Sequence, residues 1–164
     1  DFPTPAKDAY SKKFGSQEKA TEILRHVTSV AAQDNITFNM DIAVRANTFL
    51  AHRMLGYALK QHGAAVQIDL KEKIMDAYFT NGLNIGEVSV LADCAESCGM
   101  PRQDAITFLE SDYLVNEIRA EIAEASEYGV TAVPTFIING QWSVPGAQDV
   151  EMFERIIERI LERA

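Results

Sequence analysis

The sequence predicts an α/β chain built from a long helical part, a β-hairpin and a closing helix. Three observations carry this. Apolar residues recur at helical spacing almost without a break from Ser16 to about residue 127. At Val130 the period falls from 3.6 to 2. Two β-rich runs, Pro134 to Ile138 and Gln141 to Val144, are then joined by Asn139-Gly140, a pair suited to a type I′ turn because both positions need φ > 0. The 164 residues are 47% hydrophobic and 24% charged, a globular composition long enough to bury a core without disulfide staples.

Residues 1–15 are polar, contain Pro3, Pro5 and Gly15, and read as a connecting segment. Ser16 caps a helix whose apolar face is Ala20, Ile23, Leu24, Val27 and Ala31. A short β-branched and aromatic stretch, Ile36-Thr37-Phe38, follows the break at Asp34-Asn35. Asn47 is the natural N-cap of the next helix, which turns Leu50, Ala51, Met54, Leu55, Ala58 and Leu59 inward and stops at Gly63. A third helix carries Val66, Leu70, Ile74 and Ala77 and stops near Asn81-Gly82. The fourth opens at Asn84 with Glu87 as a box-like partner and ends at Cys98-Gly99. Pro101 opens a short fifth, and Ser111 or Asp112 caps a sixth, with Leu114, Val115, Ile118, Ile122 and Ala125 inward and Gly129 as its stop. After the hairpin and a Pro145-Gly146 turn, Val150, Phe153, Ile156, Ile157, Ile160 and Leu161 form the buried stripe of the last helix. A two-stranded hairpin is not stable alone in water, and no other convincing strand is visible, so the sheet is expected to lack partners.

Charge and composition exclude several function classes. A net charge of −9 argues against a nucleic-acid partner, which cationic side chains would have to hold. No run approaches the roughly 18 apolar residues a membrane span needs. The opening Asp1-Phe2-Pro3-Thr4-Pro5 does not resemble a signal peptide, and two cysteines suit a reducing compartment, so a cytoplasmic chain is expected. Cys94 and Cys98 are spaced for neighbouring positions on one helix, about 5–6 Å apart at Cβ, against roughly 3.5–4.5 Å in a disulfide. They read as small buried hydrophobes, with a redox-sensitive thiol near a fraying helix end as the other reading. No metal site is expected, since no further Cys or His lies close in sequence.

Three places could carry chemistry. Val133-Pro134 heads a strand, where proline is tolerated. A cis bond there would leave Val133 free to pair with an extended ligand backbone, although only about 5–6% of X–Pro bonds are cis and a trans proline stays open. Gly146-Ala147-Gln148-Asp149 opens the last helix, whose free N–H groups could hold a carboxylate or simply be capped by Gln148 or Asp149. Between Arg45 and His52 polar groups are denser than a helix start requires. Asn47 fits a cap, and His52 lies one turn on, near the apolar stripe, as either a hydrogen-bonded structural histidine or a site residue.

The closing stretch Gly129 to Gly140, followed by Val144-Pro145-Gly146-Ala147-Gln148, resembles the C-terminal half of a DsbA-like thioredoxin-fold protein. It is most similar to the FrnE branch, which is related to 2-hydroxychromene-2-carboxylate isomerases and kappa-class glutathione transferases. Asn47-Thr48-Phe49-Leu50-Ala51-His52-Arg53 resembles the part of that branch's helical insertion that borders the active site. The resemblance covers essentially the whole chain. It implies a thioredoxin-like α/β fold with a large all-helical insertion domain. Residues 1–15 would be a linker or remnant of the thioredoxin-like domain, 16–111 the insertion and 112–164 the C-terminal part of the thioredoxin-like domain. The family's opening strand, Cys-x-x-Cys helix and second strand are not in this sequence, so these residues alone are expected to be inactive. The resemblance further implies that Pro134 is the cis-proline facing the active-site cysteine, with Val133 bonding substrate or glutathione through its backbone. Ala147 and Gln148 would sit where relatives hold the glutathione carboxylate, and Asn47 and His52 would look into the cleft between the domains.

The function implied is a thiol–disulfide oxidoreductase acting on a protein or small-molecule thiol or disulfide, with no permanently bound cofactor and glutathione as a candidate ligand. A glutathione-dependent isomerase or transferase is the alternative. Relatives of that kind usually carry an Asp-Arg pair near Gln148, whereas here Asp149 is followed by Val150. A non-catalytic helical binding module is a third reading. Apolar residues left over on the helical part could form a homodimer contact.

Overall fold

The computed structural model describes residues 3–162. Asp1 and Phe2, at the head of the expected linker, lie outside the described residues, as do Arg163 and Ala164. Two compact units divide the chain, one ending at Ile118 and the other starting at Arg119.

Residues 1–15, read from sequence as a connecting segment, hold β1 (Thr4–Pro5) and α1 (Ala6–Phe14). The residues that suggested a loop are the helix's boundaries. Pro5 sits at the N-cap, and Gly15 ends the helix at φ 85° with its N–H on the Ser11 carbonyl. Asp8 in the first turn and Lys12 and Lys13 in the last complement the helix dipole. β1 pairs antiparallel with β2 (Val44–Arg45), a two-residue ladder the sequence did not reveal, while Ile36 to Phe38 forms no strand. Ser16 caps α2 (Gln17–Gln33) as expected, accepting from the Lys19 N–H.

Four more helices and a short π-helical turn complete this unit's core. They are α3 (Phe49–His62), α4 (Ala64–Met75), the turn Asp76–Thr80, α5 (Val88–Ser97) and α6 (Arg102–Glu110). α5 starts later than the sequence suggested. Asn84 caps the preceding turn, accepting from the Gly86 N–H at 3.0 Å and donating to the Glu87 carboxylate at 2.9 Å. Met54, Leu70 and Leu91 are fully buried among Ala51, Ala58, Ala92, Ala95 and Ala105. The alanines let helices approach closely, and each large side chain contributes about 1.5–3 kcal/mol. Leu59, expected inward, is exposed.

α7 (Val115–Glu127) follows a turn in which Leu114 takes φ 64°, and it ends at Gly129 as expected. Ile122, expected inward, is exposed. The second unit holds β3 (Thr135–Ile138), β4 (Trp142–Pro145) and α8 (Val150–Leu161). Asn139 and Gly140 have φ 51° and 68°, and the Gln141 N–H closes the turn on the Ile138 carbonyl. Pairing resumes at Trp142 opposite Ile138, so Gln141 is one residue more than a two-residue hairpin loop allows. Phe136 meets Phe153 edge-to-face at 4.9 Å, and Val144 and Ile160 are buried. Val150, Ile157 and Leu161, expected in the buried stripe, are exposed: a two-stranded ribbon is too narrow to cover the whole apolar arc of α8.

Candidate functional site

Val133 precedes β3 and is 88% exposed. The Val133–Pro134 peptide bond is cis, the geometry the family resemblance implied. Among the described residues neither the backbone N–H nor the carbonyl of Val133 has a hydrogen-bond partner. One residue on, the Pro134 carbonyl accepts from the Gly146 N–H at 2.8 Å, and Thr135 pairs with Pro145. The ladder thus brings Val133-Pro134 beside the turn that carries Ala147 and Gln148.

That turn uses its own polar groups. The Gln148 amide donates to the Pro145 carbonyl at 2.9 Å, and the Asp149 carboxylate accepts from the Met152 N–H at 2.7 Å as the N-cap of α8. This is the capping arrangement that the sequence left open beside carboxylate binding.

In the first unit, the Asn47 side chain accepts from the Phe49 N–H at 2.8 Å and so caps α3 from one residue before Thr48. His52 is exposed, and among the described residues its side chain has no hydrogen bond to Asn47 or Thr48. Its expected place near the apolar stripe is taken by its neighbour. Arg53 is 3% exposed, a buried charged side chain with no carboxylate bonded to it among the described residues. Its guanidinium donates to the carbonyls of Phe108, Leu109, Ser111 and Tyr113 at 2.6–3.3 Å and lies over the Phe108 ring at 5.1 Å. Phe108, Leu109 and the C-cap Ser111 form the C-terminal end of α6, where the helix dipole favours a cation, and Tyr113 lies in the turn that follows. Burial pulls the Arg53 pKa down, and the nearby Asp112 charge opposes this. Sequence reasoning quoted Arg53 in the motif without giving it a role, because nothing local marks an arginine whose partners lie 55 to 60 residues away.

Cys94 is buried with its sulfur against the Lys73 carbonyl at 3.7 Å, and Cys98 is half-buried. Burial, reinforced by Cys98 and Asp93, pushes the Cys94 thiol up to about 11. A thiol whose pKa is raised by folding favours the folded state below its unfolded pKa, roughly 8.5. That contribution fades as pH rises toward 11. Unfolding free energy is therefore expected to fall more steeply between pH 8.5 and 11 in the parent than in Cys94→Ala, and iodoacetamide at pH 8 will label Cys98 first. Equal slopes and equal labelling would contradict both statements. Among the described residues no group of three or more His, Cys, Asp or Glu side chains could hold a metal, and no helix is long and apolar enough to cross a membrane.

A family model described as the DSBA-like thioredoxin domain matches residues 2–158. The Uncharacterized protein YwbO of Bacillus subtilis (strain 168) is 34% identical over 86 residues. That match covers 52% of this chain and 42% of the relative, so it spans less than half the length of the curated protein. The crystal structure of a probable DsbA oxidoreductase from Streptomyces coelicolor matches with a TM-score of 0.86 at 23% identity, covering 100% of this chain and 70% of that one. At that identity the likeness establishes the fold: α/β, mostly helical and DsbA-like.

Proposed function

The chain belongs to the DsbA-like thioredoxin domain family, and from that premise we propose that it is the substrate-facing part of a thiol–disulfide oxidoreductase of the DsbA/FrnE type. The carrying observation is Val133, exposed at the head of β3 with its backbone N–H and carbonyl unpaired among the described residues. An extended substrate segment can bond there as an added strand does. The reacting thiolate comes from outside these 164 residues. Cys94 and Cys98 are separated by three residues rather than two, and a thiol held near 11 is a poor nucleophile at neutral pH.

In the reaction, a thiolate at a helix N-terminus attacks a substrate disulfide, forms a mixed disulfide and expels one substrate thiolate. A second cysteine thiolate attacks the mixed disulfide and expels the other. The protein dithiol ends as a disulfide and the substrate disulfide as two thiols; in the reverse direction the protein oxidises its substrate. Val133 holds the substrate backbone in line for these exchanges. Glutathione fits as a small thiol substrate, and the reaction belongs in the cytoplasm.

The test uses the protein that carries this chain together with a Cys-x-x-Cys segment. It should reduce insulin disulfides, whereas the 164 residues alone should not. Val133→Pro deletes an N–H that has no partner among the described residues, so it breaks none of their hydrogen bonds. It should lower kcat/KM about 2- to 10-fold, the worth of one hydrogen bond. Absence of thiol–disulfide activity in the longer protein, or unchanged kcat/KM in Val133→Pro, would defeat the proposal.

A further inference from the structure

A cavity of about 710 Å³ opens in the first unit between α1, β2 and the π-helical turn. Its volume lies within the range of roughly 300–1,000 Å³ typical of small-molecule sites. Lys12, Lys13 and Arg45 line it, and among the described residues no carboxylate does. In a chain of net charge −9 such a concentration of uncompensated positive charge is unusual. None of the three forms an ion pair among the described residues, and all three side chains are exposed. The walls are apolar and aromatic: Tyr10, Tyr78 and Phe79, with Ile74 buried at the floor. Tyr78 stands edge-to-face with Phe79 at 4.7 Å. Burial, with Tyr10 adding to it and Arg45 opposing, raises the Tyr78 pKa, so its hydroxyl keeps its proton as a donor.

We infer that this cavity binds a small phosphate monoester with an aromatic body, its phosphate on Lys12, Lys13 and Arg45 and its ring between the tyrosines. A phosphate monoester carries about −1.5 to −2 charges at pH 7 and three acceptor oxygens. It matches three cations better than a monocarboxylate, which neutralises one. The guanidinium of Arg45 can grip two of those oxygens at once. Inorganic phosphate meets the charge but leaves the rings in water. A nucleic acid is disfavoured, because the rest of the surface would repel it.

The inference does not depend on thiol chemistry and is tested by binding alone. In calorimetry on the full chain at 0.1 M salt, 1-naphthyl phosphate should bind at least ten-fold more tightly than inorganic phosphate or 1-naphthol. The affinity should fall as salt rises. Replacing the exposed side chains in Lys12→Gln/Arg45→Gln should lower the melting temperature by no more than a few degrees, the share of Lys12 in the helix dipole, and weaken naphthyl phosphate at least ten-fold. Tyr78→Phe should weaken it a few-fold while keeping its preference over inorganic phosphate. Equal binding of inorganic phosphate would reduce the site to a patch of charge, and equal binding of naphthol would reduce it to an apolar sink. Either result, or an unchanged affinity in the charge variant, overturns the assignment.

Discussion

Arg53→Met will lower the unfolding free energy of the helical unit by about 2–4 kcal/mol, although methionine fills most of the same volume. The arginine bonds four carbonyls at the end of α6 and in the turn after it. Ser111 and Tyr113 are exposed residues, and their carbonyls can turn to water once the guanidinium is gone. Phe108 and Leu109 are buried at 5% and 4% exposure; the Phe108 carbonyl keeps the Ser111 N–H and hydroxyl as donors at 3.1 and 2.7 Å, whereas the Leu109 carbonyl is left as the orphan acceptor of the helix end. Leaving that one carbonyl unsatisfied costs about 1–3 kcal/mol. The contact with the Phe108 ring and the favourable position on the helix dipole are lost as well. Arg53→Lys should recover little of this, because an ammonium keeps the charge but cannot span four acceptors with a planar fork. Urea unfolding of the three proteins measures the effect. If Arg53→Met falls within about 1 kcal/mol of the parent, the clamp is not what closes this helix end.

The same residue marks where the sequence stops being informative. Local chemistry was readable: Asn139-Gly140 specified a turn with both φ angles positive, Ser16 specified a cap, and Gly63, Gly99 and Gly129 ended helices as placed. Each of these depends on neighbours within a few residues. The hairpin register was not readable, because turn dihedrals do not say where pairing resumes, and Gln141 falls outside it. Around α3, residue type misled. Histidine suggested chemistry and the arginine beside it suggested nothing, yet the helical rotation that turns Ala51 and Met54 inward carries Arg53 in and leaves His52 out. The cationic cavity was invisible for a related reason. Its lining comes from segments around residues 10, 45 and 78, and only the fold puts them together. At the Val133-Pro134 edge the family motif supplied what spacing alone left open.

Gly82→Ala will cost about 3 kcal/mol or more, and Gly15→Ala only about 1, although both glycines have positive φ, 64° and 85°. A left-handed backbone costs an L-residue about 1–2 kcal/mol at either position. The difference lies in what a methyl group would meet. At Gly15 no atom lies within 4 Å of the added carbon. At Gly82 it would fall 2.5 Å from the Ile42 carbonyl oxygen and 2.8 Å from the Ile42 side chain, so one backbone must move. Three hydrogen bonds resist that movement. The Asn39 N–H donates to Phe79 O, the Asn39 amide to Thr80 O and the Thr80 hydroxyl to Thr37 O, tying the 37–42 segment to the turn before Gly82. Relief therefore means giving up one of these bonds or shifting the π-helical turn, and overpacking of this kind costs about 1–3 kcal/mol. Because Tyr78 and Phe79 lie on that turn and line the cationic cavity, Gly82→Ala should also weaken naphthyl phosphate, while Gly15→Ala leaves its affinity unchanged. Equal urea midpoints for the two variants would mean that the chain yields at Ile42 and that the close approach holds nothing in place.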